Sequence, residues 1–175
     1  MAMFYLIRHG ETDYSERNEK IYQGFGVNLS PLSIKGIEKI QNTAKDRRLC
    51  GADIILSSPY TRAVQTAAIL SKELRADIMI ETNLHEWMAN KNYIYEEDEK
   101  AEQNYHEFVE NHGVYPTGGE FDWEDMLTIR KRVVPVFEKY KYYQKVVVAC
   151  HGILVQSLCK GYHPKNGEIV EFEYE

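Results

Sequence analysis

Apolar residues fall along this chain in two rhythms. Short, nearly unbroken runs read as buried strands: Phe4-Tyr5-Leu6-Ile7, Ala52 to Leu56, Ile78-Met79-Ile80, Lys145 to Cys150, and a last one from Ile169 to Tyr174. Between them the period lengthens to that of a helix. Ile34, Ile37, Ile40 and Ala44 recur from a start near Ser33, with Leu49 close to the end. Ala63, Ala67, Leu70 and Leu74 share a second helical face, and Ser58-Pro59 ahead of them suits a cap and a first helical position. Trp123, Leu127, Arg130, Val134 and Phe137 mark a longer helix over roughly 121–141, where Pro135 predicts a kink. A last helix spans Ile153 to Lys160. Strands alternating with helices predict an α/β fold in layers, a mostly parallel sheet flanked by helices.

Two stretches break the rhythm. Residues 11–32 are polar and turn-rich, punctuated by Gly24, Gly26 and Pro31. Gly24-Phe25-Gly26 begins like a dinucleotide fingerprint, but Leu29 stands where the third glycine belongs, so it is rejected as a nucleotide loop. Residues 88–119 gather Glu96, Glu97, Asp98, Glu99 and Glu102 around a weakly amphipathic helix and close on Pro116-Thr117-Gly118-Gly119. They predict a small helical excursion, either a lid or a solvated helix without a role. No repeat or linker interrupts the 175 residues, which predicts one domain over 1–175.

Charge and cysteine usage narrow the classes. A net charge of −6 argues against a general nucleic-acid binder, and any anionic ligand would need local cations working against the overall field. No apolar run is long enough to cross a bilayer. Cys50, Cys150 and Cys159 form no CxxC and leave one over; with no leader before them they predict reduced thiols in the cytoplasm. Cys150 adjoins His151, but it also ends a run of valines, which favours a packed thiol over a reactive one.

The chemistry gathers where strands end. In a parallel sheet, ligands sit outside the carboxyl ends of the strands. The first strand stops on Arg8-His9-Gly10, the valine strand on His151-Gly152, and Arg62 and Glu86 lie shortly past two others. Arg62 stands in the first turn of a helix, where the dipole disfavours positive charge. Guanidinium forks match phosphate oxygens two at a time, and a neutral imidazole flanked by them is a competent nucleophile. A carboxylic acid can protonate a leaving alkoxide and then deprotonate water. Two histidines, two arginines and one carboxylate therefore suit phosphoryl transfer through a phosphohistidine. Neither a GxSxG elbow nor an HExxH zinc motif is present, and His106 and His112 are too isolated to suggest a metal site.

At this point the sequence resembles the histidine phosphatase superfamily, with its phosphoglycerate mutase-like fold. Arg8-His9-Gly10-Glu11-Thr12 is similar to the signature RHGE[ST], and Ser57 to Ala67 to the SSPxxRAxQTA segment. Leu84-His85-Glu86 is similar to the LxE that supplies a proton donor, and Cys150-His151-Gly152 to the second histidine motif. Gln23-Gly24, Pro31-Leu32-Ser33 and Gly118-Gly119-Glu120 are weaker echoes. The blocks follow the family's order from residue 4 to about 158. The resemblance implies a three-layer sandwich, His9 as the phosphorylated nucleophile, and Arg8, Arg62 and His151 on the phosphoryl group. It implies Glu86 as general acid and base, with Gln23 and Gly152 as further substrate contacts and neither metal nor cofactor. Departures lie between His9 and Pro31, where Ser15 and Lys20 replace common Asn and Arg, and at Phe121 after Gly119-Glu120.

The expected function is hydrolysis of a small phosphorylated metabolite, with no nucleic-acid or membrane partner; the oligomeric state is left open. A phosphoglycerate mutase is the alternative, and the acidic turn after Trp87 to Tyr93 disfavours it, because a mutase grips its intermediate with extra cations. A non-catalytic phosphate-ester sensor is the third possibility; binding alone would not need an acid. Aromatic and acidic residues of 87–115 are expected to line the substrate pocket. Transfer through His9 further requires its ring to lie open at the sheet margin, within a phosphate's width of Arg62 and His151.

Overall fold

The computed structural model describes residues 2–19 and 24–174. Five strands form one sheet: β1 (Ala2–Arg8), β2 (Ile54–Ser57), β3 (Ile78–Ile80), β4 (Lys145–Cys150) and β5 (Ile169–Tyr174). Their order is β3-β2-β4-β1-β5; β5 runs antiparallel to β1 and the remaining pairs are parallel.

Alternate side chains of the same strands feed two separate cores, as the pleat requires. Phe4, Leu6, Leu56, Val146, Val148 and Cys150 face α5 (Met126–Tyr140) and α6 (Gly152–Leu158), where Phe4 stacks on Phe137 at 4.4 Å. Ile7, Ile55, Val147 and Ala149 face α2 (Ile34–Thr43) and α3 (Thr61–Leu74), packing on Ile40, Ala67 and Leu70. Burial on both faces explains why β4 reads as a continuous valine run instead of an alternating one. The three-layer α/β sandwich predicted above is the observed fold.

Boundaries differ from expectation where local chemistry intervenes. Ser33 caps α2 as predicted, accepting from the Gly36 N–H at 3.0 Å. Gly10 and Gly36 meet backbone to backbone, and a side chain at either would strike the other segment. That contact holds the start of α2 against the end of β1. A four-residue helix, α1 (Gly26–Leu29), falls within the stretch read as loop; one turn is too short to show a period. The helix expected over 121–141 begins only at Met126, because the Asp125 carboxylate caps it through the Thr128 N–H at 2.8 Å. It continues through Pro135 to Tyr140. The excursion carries α4 (Asp98–Glu110), which buries Asn104 and Phe108. Among the described residues no helix is long and apolar enough to cross a membrane.

Candidate active site

Strand register assembles the site. Arg8 lies opposite Cys150 in the β1–β4 pair, and Ser57 opposite Ala149 in the β2–β4 pair, so the three strands end level. The His9 N–H then donates to the Cys150 carbonyl at 2.9 Å, and the Ser58 N–H to the Ala149 carbonyl at 3.1 Å. His9, Ser58 and His151 thus emerge side by side at one sheet edge. The ring centroids of His9 and His151 are 5.2 Å apart.

The His9 ring has a defined tautomer. Its Nδ1 lies 2.7 Å from the Gly10 carbonyl, a contact favourable only when Nδ1 donates. Nε2 is left with its lone pair, and the Arg62 Nε–H points at it from 3.2 Å. Burial, then the guanidinium groups of Arg62 and Arg8, push the imidazole from 6.5 down to about 3 against the raising effect of the Gly10 carbonyl. His9 is therefore neutral throughout the physiological range. An NMR titration of its ring should show no inflection between pH 5 and 8; an inflection near 6.5 would contradict the packing described here. The same shift makes the fold acid-sensitive. Below pH 6.5 the unfolded chain takes up a proton that folded His9 refuses until about pH 3, so stability falls by about 1.4 kcal/mol per pH unit across that window.

His151 is fully buried, and burial followed by Arg62 holds it well below the usual imidazole range. Its Nε2 lies 2.7 Å from the Ser58 Oγ, while Nδ1 is buried without a partner among the described residues. This corrects the role expected of Ser58. The helix N-cap is Tyr60, with no side-chain cap bond, and α3 starts at Thr61, so the Ser58 hydroxyl faces His151. Cys150 is buried, and burial raises its thiol, as a packed cysteine requires.

Arg62 is the second residue of α3 and only 3% exposed. Its Nη1 donates to the Val27 carbonyl of α1 at 2.7 Å, and its guanidinium lies 5.0 Å from the centre of the Tyr60 ring. With Arg62 against it, the His9 ring is 6% exposed. The ring is within a phosphate's width of both partners, but the open margin expected of it is not observed: Arg62, tied to Val27, covers its Nε2.

Arg8, Glu86 and Gly152 line a cavity of about 520 Å³. The Arg8 Nη1 donates to the Pro164 carbonyl at 2.8 Å, and its buried Nε has no partner among the described residues. A Cβ at position 152 would be in ordinary van der Waals contact with that guanidinium at 3.4 Å, so Arg8 packs on the start of α6. The Glu86 carboxylate accepts from the N–H groups of Trp87 (3.0 Å), Ile153 (3.3 Å) and Leu154 (3.3 Å), which fixes it at the end of β4. The predicted residues thus form two adjoining groups, His9–Arg62–His151 and Arg8–Glu86–Gly152, joined through the consecutive pairs Arg8-His9 and His151-Gly152. Gln23 lies outside the described residues. A wider groove of about 750 Å³ between α2 and the 162–169 turn holds none of the predicted site residues.

Periodicity missed the group that holds the Glu86 loop. Arg132 pairs with Glu124 through two bonds of 2.6 and 2.9 Å, the side chains 10% and 4% exposed. Arg132 also donates to the carbonyls of Asn83 (2.6 Å) and Glu86 (3.3 Å), while Glu124 accepts from the Met88 N–H at 3.3 Å. One ion pair thus clamps both sides of the acid-bearing loop. Glu120, part of the weaker echo Gly118-Gly119-Glu120, is exposed. A charged pair eight residues apart across a helix start was the available signal. Arg132→Ala should cost about 3–5 kcal/mol in urea unfolding, since it strands a buried carboxylate. A loss below about 1 kcal/mol would show the pair to be dispensable.

A sequence profile described as the histidine phosphatase superfamily (branch 1) matches residues 4–171. A Proteus mirabilis protein named as a probable phosphoglycerate mutase is 34% identical over 86 residues, 49% of this chain and 38% of that one. The match thus spans well under half the length of that relative. A Hydrogenobacter thermophilus protein that carries the name of a phosphoserine phosphatase is 27% identical over 158 residues, 87% of this chain and 74% of that one. Among solved structures, a mycobacterial glucosyl-3-phosphoglycerate phosphatase with VO3 superposes with a TM-score of 0.69 at 18% identity, covering 98% of this chain and 90% of the other. A Bacillus anthracis phosphoglycerate mutase superposes with a TM-score of 0.70 at 19% identity, covering 97% and 86%.

Proposed function

The chain belongs to the histidine phosphatase superfamily, branch 1, and on that premise we propose that it hydrolyses small phosphomonoesters through a phosphohistidine on His9. The observation that carries this is the tautomer. Nδ1–H is spent on the Gly10 carbonyl, so Nε2 offers its lone pair beside a guanidinium at 3.2 Å.

For an anion to enter, the Val27 carbonyl gives up the Arg62 Nη1 and a phosphoryl oxygen takes its place. Arg62, Arg8 and His151 then hold the phosphoryl oxygens; the arriving negative charge favours protonation of His151, whose Nδ1 has no partner among the described residues. With Glu86 in its carboxylic-acid form, the His9 Nε2 attacks phosphorus, the P–O bond to the alcohol breaks, and the Glu86 proton passes to the departing oxygen, leaving a carboxylate. Water next loses a proton to Glu86 and attacks the phosphohistidine. Inorganic phosphate leaves and His9 regains its lone pair. Fixed guanidinium charges stabilise the equatorial oxygens in both steps. The names of the relatives favour a phosphatase or a mutase built on this chemistry. We place the whole activity in one unit spanning 1–175, with no cofactor, in the cytoplasm.

A panel of phosphomonoesters assayed with chelator tests this. Phosphate release from at least one ester, retained with chelator and lost in His9→Ala, is the expected result. Isomerisation of phosphoglycerate without net phosphate loss would replace the phosphatase with the mutase. Tight binding with neither activity would leave a sensor.

A further inference from the structure

The cavity beside Glu86 is not lined where the sequence suggested. Of the excursion residues only Tyr105 reaches it, and none of the acidic patch does. Its remaining wall comes from α6 and the turn before β5, through Gln156, His163, Pro164, Lys165 and Asn166. The lining is therefore rich in hydrogen-bond donors and cations, in a chain whose net charge is −6.

This wall is fixed to the nucleophile strand. The Asn166 side chain donates to the His9 carbonyl at 2.8 Å, the Gly167 N–H to the Arg8 carbonyl at 2.8 Å, and the Arg8 Nη1 to the Pro164 carbonyl at 2.8 Å. Three bonds across more than 150 residues of sequence lock the turn to Arg8 and His9. A group held by Lys165 or His163 therefore sits at a set distance from the phosphoryl site. Among the described residues Glu86 is the one carboxyl group in the lining, and its oxygens accept from three backbone N–H groups. Glu168 lies behind the wall, accepting from the Lys165 N–H at 2.6 Å.

The geometry points to a substrate whose leaving alcohol carries a second anionic group, held by Lys165 and His163 with Gln156 donating beside them. This rests on the phosphomonoesterase proposal and names its substrate class. A cavity of about 520 Å³ takes a metabolite-sized ligand. A cation placed on that wall favours an anionic ligand both on approach and in the complex. A neutral alcohol gains neither, and a cationic one is repelled.

Matched pairs test the assignment. Phosphoserine and phosphoethanolamine differ by one carboxylate; 3-phosphoglycerate carries a carboxylate where glycerol 3-phosphate carries a hydroxymethyl group. The first member of each pair should show a kcat/KM at least tenfold higher than the second. In Lys165→Glu, an exposed position that leaves the core untouched, that ratio should fall to unity or invert. Dissociation constants for the same pairs on His9→Ala give a second readout that needs no turnover. Equal kcat/KM values within each pair, together with hydrolysis of p-nitrophenyl phosphate, would overturn the second-anion site and leave the phosphatase standing. Should no ester be hydrolysed, the phosphatase fails, and the binding ratios still decide: a tenfold carboxylate preference lost in Lys165→Glu supports the site, and equal affinities overturn it.

Discussion

His9→Ala is expected to lower phosphate release on the order of 10⁴-fold or more, because it removes the atom through which the phosphoryl group passes in the proposed mechanism. The substitution clears a ring that accepts from Arg62 and leaves the strands on either side untouched. Folding should survive, and urea unfolding with circular dichroism would verify it. Incubation with labelled ester should mark the wild-type chain with acid-labile, base-stable phosphate and leave the variant unmarked. Activity within tenfold of wild type in the folded variant would mean that water attacks phosphorus directly, and the phosphohistidine pathway would be wrong.

The second large effect is selective. Glu86→Gln keeps a side chain of the same shape at the start of α6, but it can neither give a proton to an alkoxide nor take one from water. Esters of alkyl alcohols should lose about 10²–10⁴-fold in the phosphorylation step. An ester of p-nitrophenol, whose leaving group departs without a proton, should still phosphorylate His9 in a burst and then stall before hydrolysis. Pre-steady-state release of p-nitrophenolate measures this. Equal losses on both kinds of ester in the burst would remove Glu86 from the role of acid and assign its carboxyl group to tying its loop to the start of α6. Arg132→Ala provides the comparison: it frees the loop without altering the carboxyl group, and its loss should not depend on the leaving group.

The closed state of the site bears on both experiments. Arg62 reaches the His9 nitrogen and the Val27 carbonyl at once, so in the proposed mechanism an entering phosphoryl oxygen replaces the Val27 carbonyl on a guanidinium that is 3% exposed. Phe25, Val27 and Leu29 on that turn are all exposed, which leaves its hold on the body to a few polar contacts of this kind.

The amino-acid sequence on its own determined the strands, the four helices that flank them (α2, α3, α5 and α6), and the polar residues at their ends. Each of these is written locally: an apolar run needs both faces covered, a 3.6-residue period needs one, and Arg8-His9-Gly10 or His151-Gly152 stands where its strand stops. The order of motifs along the chain was enough for the family. What tertiary structure alone decided are partnerships between segments distant in sequence. Ser58 reads as a helix cap from its neighbours, yet β2 lies beside β4, and its hydroxyl meets His151, 93 residues away. Arg132 follows Arg130, which the helical pattern selected, but packing buries Arg132 against Glu124 beside the Glu86 loop. The excursion was expected to line the substrate pocket because it is aromatic and acidic; the cavity beside Glu86 takes Tyr105 from it and is otherwise walled by α6 and the turn before β5, which three bonds tie to Arg8 and His9. Periodicity reports how much of a segment is covered; which segment does the covering depends on sheet order and register, and no single stretch of sequence contains those.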